Sequence, residues 1–126
     1  MWRLIVEDSF SAAHRIPGHG GKCAGLHGHN YAFRVALSSA QLDALGFVVD
    51  IDLVRTLLTQ LVTDKFDHKN LNDVPPFTAV IPSLENVAKH IYDELRGALA
   101  QLNKNLSLLW VEVAESQTAV IRYQPK

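Results

Sequence analysis

The sequence predicts an α+β domain, an antiparallel four-stranded sheet with two helices on one face in the order β-β-α-α-β-β. Three observations carry this. Residues 4–14 and 27–38 alternate apolar and polar side chains with the two-residue period of a strand. Residues 54–62 and 84–102 repeat apolar side chains at the three- and four-residue spacing of a helix. The last twenty residues hold two short runs rich in β-branched and aromatic side chains.

In the first strand Leu4, Val6, Phe10, Ala12 and His14 share one side, interrupted only by Asp8. Pro17 and the glycine-rich stretch 18–25 favour neither helix nor sheet, so Cys23 falls in a loop. Alternation resumes at His27, His29, Tyr31, Phe33, Val35 and Leu37, with Asn30, Arg34 and Ser38 on the other face. Residues 46–50 read as a short strand or a turn, leading to Asp52 as an expected N-cap. Val54, Leu57, Leu58, Leu61 and Val62 give the first helix its apolar stripe, which should end near Phe66. The polar string 67–73 and the Pro75-Pro76 pair do not continue it. The second helix follows Pro82, with Ser83 as its cap and Leu84, Val87, Ala88, Ile91, Leu95, Leu99 and Leu102 at helical spacing. Asn103 and Asn105 break it before strands at 108–115 and 118–123.

With 126 residues and no linker or repeat, one domain over 1–126 is expected. The chain is 48% apolar and 20% charged, and 12 Lys and Arg balance 13 Asp and Glu. That excludes disorder and leaves no basic field to hold a nucleic acid. No apolar run reaches the roughly eighteen residues that span a bilayer, and the N-terminus turns acidic at Glu7-Asp8, unlike a signal peptide. A cytoplasmic location is therefore expected, in line with a single cysteine that can make no internal disulfide. The even totals hide a local concentration. Four of six histidines, the only cysteine and five of seven glycines lie between His14 and His29.

His27 and His29 project from one face of their strand, and His14 lies on the matching phase of the strand before. If the two strands pair, three imidazoles converge. Zinc suits such a donor set, and three protein ligands leave a fourth position for water or substrate. A His-x-His pair alone is more often a surface pair, and the third in-phase histidine is what favours a metal. Gly28 between the two would allow close approach of a ligand or another backbone. His19 in the glycine loop is a substrate contact or a solvated side chain, and His90, outside the apolar stripe of the second helix, receives no role.

Cys23, four residues before His27, is an inert filler or a reactive thiol that Lys22 and a nearby cation suit to act as a proton acceptor. As a fourth metal ligand it would instead close the site. Asp67-His68 combines a carboxylate with an imidazole whose tautomer it can fix, provided that the side chains point together. Glu115 takes the next position after Leu109, Val111 and Val113, so it either leaves the sheet or faces a pocket. There a carboxylate can grip the paired N–H donors of a guanidine-like ring edge.

The sequence resembles the family of 6-pyruvoyl- and 6-carboxy-tetrahydropterin synthases through six segments in order: 10–15 (FSAAHR), 23–31 (CAGLHGHNY), 49–50 (VD), 66–72 (FDHKNLN), 82–86 (PSLEN) and 111–115 (VEVAE). The resemblance implies that His14, His27 and His29 bind Zn²⁺, that Cys23 is the catalytic thiol, and that Asp67 and His68 form a second proton-transfer pair. It implies that Glu115 anchors the pterin ring with Glu85 assisting, and leaves Lys22, Arg15 and Lys69 as local cations for a triphosphate. Ser83 stands where the family usually has threonine.

The three residues between Cys23 and His27 resemble the bacterial 6-carboxy enzymes of queuosine biosynthesis. That implies cleavage of 7,8-dihydroneopterin triphosphate to 6-carboxy-tetrahydropterin, acetaldehyde and triphosphate. The alternatives are a 6-pyruvoyl synthase, which eliminates triphosphate and isomerises the side chain without C–C cleavage, and a non-catalytic zinc- or pterin-binding protein. The family's tunnelling fold further implies that copies of the chain assemble into an oligomeric barrel with sites between subunits, which would remove the free sheet edges.

Overall fold

A computed structural model describes residues 1–126. The first two strands, β1 (Trp2–His14) and β2 (His27–Ser39), form one antiparallel hairpin paired along its whole length, from Trp2 opposite Ser39 to His14 opposite His27. Strand β4 (Ser107–Ala114) joins the other side of β2, and β5 (Ile121–Tyr123) closes that edge. These are the four expected strands, although the last is shorter than 118–123. A fifth strand, β3 (Lys69–Asn70), pairs in parallel with Ala12 and Ala13 of β1, so the sheet is mixed, in the order β3-β1-β2-β4-β5. Two residues leave no alternation to read, which is why β3 was not visible in the sequence.

The first helical rod comprises α1 (Ile51–Leu58), a π-helical turn (Thr59–Thr63) and α2 (Asp64–Phe66). Its cap is Asp50, which accepts a hydrogen bond from the Asp52 backbone N–H, not Asp52 as expected; residues 46–50 form no strand. The π turn has a physical consequence. Val54, Leu58, Val62 and Phe66 are four residues apart, a spacing that drifts by about 40° per step on an ideal α-helix, and the wider turn absorbs drift so that all four stay buried. The second rod, α3 (Leu84–Leu102), begins at Ser83, whose hydroxyl accepts from the Asn86 N–H as expected.

Both rods cover one face of the sheet. Val6, Phe10, Tyr31, Phe33, Val35, Val111 and Val113 meet Val54, Leu58, Val62, Phe66, Ile91 and Leu95 in one core. Phe10 stacks on Tyr31 with ring centroids 4.9 Å apart. On the opposite face the buried Glu112 carboxylate accepts from Arg34 of β2 at 2.5 Å and from Arg122 of β5 at 2.6 and 2.8 Å, tying three strands together. The same Arg122 guanidinium lies 4.0 Å over the Trp110 ring. At the loop end of the hairpin, Ala12, His14, His27 and His29 lie on the core-facing side of the two strands.

Candidate metal centre and its surroundings

The hairpin register sets the histidine cluster. His14 and His27 are opposite each other and His29 is opposite Ala12, so the three imidazoles share the inward face at one end. Their ring centroids are 4.6, 5.2 and 4.8 Å apart, and one ligating nitrogen from each lies within 4.8 Å of the others. The expected convergence is therefore present.

Two of the rings have fixed tautomers. His14 Nδ1 donates to the Pro82 carbonyl at 2.8 Å, and His27 Nδ1 donates to the Gly25 carbonyl at 2.8 Å. A carbonyl only accepts, so each Nδ1 carries the hydrogen and each Nε2 presents a lone pair. Burial pushes the His14 imidazole's pKa down, against the opposing pull of the Pro82 carbonyl and the Glu115 carboxylate, which keeps the ring neutral and fit for ligation. The Nε2 atoms of all three histidines are buried without a hydrogen-bond partner. Buried polar atoms in native proteins are nearly always satisfied, and a cation that accepts lone pairs satisfies all three at once. Neutral imidazoles in threes suit zinc.

Glu115, the first residue beyond β4, faces this cluster and not solvent. Its Oε2 lies 3.3 Å from His29 Nε2 and 3.5 Å from His14 Nε2. Tyr31 stands behind the histidines, its ring centroid 5.7 Å from those of His14 and His29, with its hydroxyl buried and unpartnered. Burial, with the Glu115 charge, pushes the Tyr31 phenol's pKa up.

Asp67 and His68 do point together. His68 has a left-handed backbone (φ 59°), unusual for a side-chain-bearing residue, and its Nδ1 donates to Asp67 Oδ2 at 2.8 Å. The other carboxylate oxygen accepts the Ser11 N–H at 2.9 Å, and the His68 N–H donates to the Ser11 carbonyl at 2.6 Å. These bonds, the Ser11 N–H foremost and then His68, hold the Asp67 carboxyl below the usual carboxylate range. The His68 ring is 83% exposed and lines a groove with Ser11, Gly28, His29, Asn30 and Lys69. No hydrogen bond or ion pair joins it to the histidine cluster or to Cys23 of the same chain.

Cys23 sits in a 3₁₀ turn (Lys22–Ala24), half-buried and free, outside the group of metal-ligating side chains. Lys22, Arg15 and Lys69 are exposed, as is Glu85 in the first turn of α3. His19 orders its own loop, its Nδ1 accepting from the Gly21 N–H at 2.9 Å. Gly28 is not needed for close approach within this chain, since a Cβ there meets only the Ala12 carbonyl at 3.7 Å.

Two supporting residues escaped the sequence reading. Asn72 brackets the backbone of Arg15, accepting from its N–H at 2.9 Å and donating to its carbonyl at 3.1 Å. It thereby docks the segment after His68 against the residue after His14. Asn86 donates to the Ile81 carbonyl at 2.8 Å, steadying the turn whose Pro82 carbonyl orients His14. Both lie inside segments that carry the family resemblance, yet only tertiary contact gives them partners.

The family profile described as 6-pyruvoyl tetrahydropterin synthase matches residues 3–126. A 6-carboxy-5,6,7,8-tetrahydropterin synthase of Synechocystis is 36% identical over 127 residues, covering 98% of this chain and 93% of the relative. A 6-pyruvoyl tetrahydrobiopterin synthase of Dictyostelium discoideum is also 36% identical, over 86% of this chain and 89% of its own length. Among solved structures, the 6-pyruvoyl tetrahydropterin synthase of Caenorhabditis elegans superposes with a TM-score of 0.85 at 28% identity, covering 99% of this chain and 96% of that one.

Proposed function

Because the chain belongs to the 6-pyruvoyl tetrahydropterin synthase family, we propose that it is a zinc-dependent 6-carboxy-tetrahydropterin synthase. It takes 7,8-dihydroneopterin triphosphate and water to 6-carboxy-5,6,7,8-tetrahydropterin, acetaldehyde and triphosphate, a step of queuosine biosynthesis. The observation that supports it most is the cluster of three histidines, two of them with fixed tautomers and all with unpartnered Nε2 atoms, with three residues between the only cysteine and His27.

His14, His27 and His29 hold the metal, and zinc bound there supplies Lewis acidity that makes a substrate hydroxyl more acidic. Cys23 accepts a proton on one side of the substrate's side chain. His68, its tautomer set by Asp67, leaves Nε2 free to move a proton on the other side. The Glu115 carboxylate pairs with the N–H donors of the pterin ring edge. Glu85, Lys22, Arg15 and Lys69 are exposed on the surrounding surface, with the three cations available to the triphosphate.

Copies of the chain assemble into a barrel, and His68 serves the site of a neighbour. Its exposure and its separation from the cluster of its own chain support that division.

A second reading, the 6-pyruvoyl synthase, is supported by the Dictyostelium relative at equal identity. Mass analysis of the pterin formed from 7,8-dihydroneopterin triphosphate separates the two. The carboxy product upholds the proposal, and a pyruvoyl side chain with all its carbons overturns it.

A further inference from the structure

We propose that Asn86, in the first turn of α3, is a positioning residue for the metal centre: it brackets Pro82, whose carbonyl holds the His14 imidazole in its ligating orientation. The inference deepens the proposed function and rests on its reading of the three histidines as metal ligands.

His14 and His27 are oriented from different places. His27 is held from within its own hairpin, by the carbonyl of Gly25 two residues before it. His14, the most buried of the three histidines, makes its one side-chain hydrogen bond to a residue 68 positions away, the carbonyl of the buried Pro82. The ring of the innermost ligand therefore depends on the turn that leads into α3.

Asn86 controls that turn. The Pro82 carbonyl and the Ser83 N–H belong to one planar trans peptide group, so whatever accepts from that N–H also aims the carbonyl. The acceptor is the Ile81 carbonyl at 2.9 Å, and Asn86 Nδ2 donates to the same oxygen at 2.8 Å. From the other side, the Asn86 backbone N–H donates to the Ser83 hydroxyl at 3.2 Å. Both neighbours of Pro82 are thus tied to one residue. Asn86 is itself followed by Val87 and Ala88, which are fully buried in the core. A rigid path runs from the core through Asn86 and the Pro82–Ser83 peptide to His14 Nδ1.

Asn86→Asp separates this role from simple support of the helix. The backbone N–H still meets the Ser83 hydroxyl, and a carboxylate in the first turn favours a helix N-terminus, so α3 keeps its start. What disappears is the Nδ2 donor. A carboxylate oxygen then faces the Ile81 carbonyl, two acceptors with no hydrogen between them. Zinc affinity of the full chain is measured by competition with a chromogenic chelator. Cobalt(II) in place of zinc reports ligand geometry through its visible absorption, and urea unfolding of the metal-free protein is followed alongside.

The expected result for Asn86→Asp is zinc affinity lowered about tenfold, the low end of the loss typical of groups that orient a metal-ligating histidine. The cobalt band should change, while the urea midpoint of the metal-free protein stays at or above that of the parent. Parent affinity and a parent band in the Asp variant would overturn the inference. An affinity loss accompanied by a lower urea midpoint overturns it as well, because α3 is then failing as a helix. A parent protein that binds neither metal overturns the metal reading itself and this inference with it.

Discussion

Asp67→Asn isolates the Asp67–His68 pair from the histidine cluster. Asp67 uses its two oxygens differently, one accepting the Ser11 N–H at 2.9 Å and the other accepting His68 Nδ1–H at 2.8 Å. An asparagine keeps one acceptor. The Ser11 N–H requires it, so the new amide N–H₂ faces His68 and turns its Nδ1 into an acceptor. The imidazole hydrogen then moves to Nε2, which loses the lone pair that takes up a proton. A general base of this kind contributes about 10²–10⁴ in rate, and the equivalent exchange in a serine-protease triad costs about 10⁴. Here the ring is 83% exposed, so water stabilises the productive tautomer in part. The expected loss in kcat is therefore at the lower end, about 10²–10³. The assay is steady-state turnover of 7,8-dihydroneopterin triphosphate, with zinc content measured on the same samples. Zinc should stay at the parent level because Asp67 touches none of the three histidines. A variant within about threefold of the parent's kcat would refute the tautomer argument, and loss of zinc would refute the separation of the two groups.

Other substitutions probe the remaining parts. His27→Ala should lose bound zinc, whereas Cys23→Ala should keep it and lose turnover, as read by metal analysis and activity; equal metal loss in both would contradict the division of roles. Glu112→Ala removes the acceptor shared by Arg34 and Arg122, whose side chains are 45% and 47% exposed and can hydrate. The cost should therefore fall below that of a fully buried pair, at about 2 kcal/mol, measured as a lower urea midpoint. His90 has an unpartnered Nε2 and packs against Phe66 and Phe77, and burial pushes its pKa down despite Glu94 and Asp93, with Lys65 pushing the same way. Its neutral form is favoured by folding, so stability is fully present above the unfolded-state value near 6.5 and is lost as pH falls toward the lower folded-state value. His90→Phe should gain about 1 kcal/mol from removing the unpartnered nitrogen and should flatten that acid limb in pH-dependent urea titrations.

The parts of this protein visible in its sequence are those set by short periods. The phases of β1 and β2 placed His14, His27 and His29 on one face, and the hairpin register did the rest. Ser83 announced α3 because capping is a local hydrogen bond. What escaped the sequence depends on partners far along the chain. Strand β3 exists because Ala12 and Ala13 offer it an edge, and its two residues carry no period. The pairing of Asp67 with His68 was expected on the condition that the two side chains point together, and what no local pattern announced is the left-handed backbone of His68 that accompanies it. His90 lies beside the apolar stripe of α3, and it is half-buried with Phe77, from the loop between the rods, packed edge-on against its ring. For Glu115 the alternation left two orientations open, and the structure turns it toward the histidines, where its carboxylate has no other partner.

The most direct test of the account is a product analysis of the zinc-loaded protein with 7,8-dihydroneopterin triphosphate. The account predicts acetaldehyde and 6-carboxy-tetrahydropterin in equal amounts, abolished by removing the metal and restored by zinc. A pterin product that retains its three-carbon side chain, with no acetaldehyde released, would contradict it.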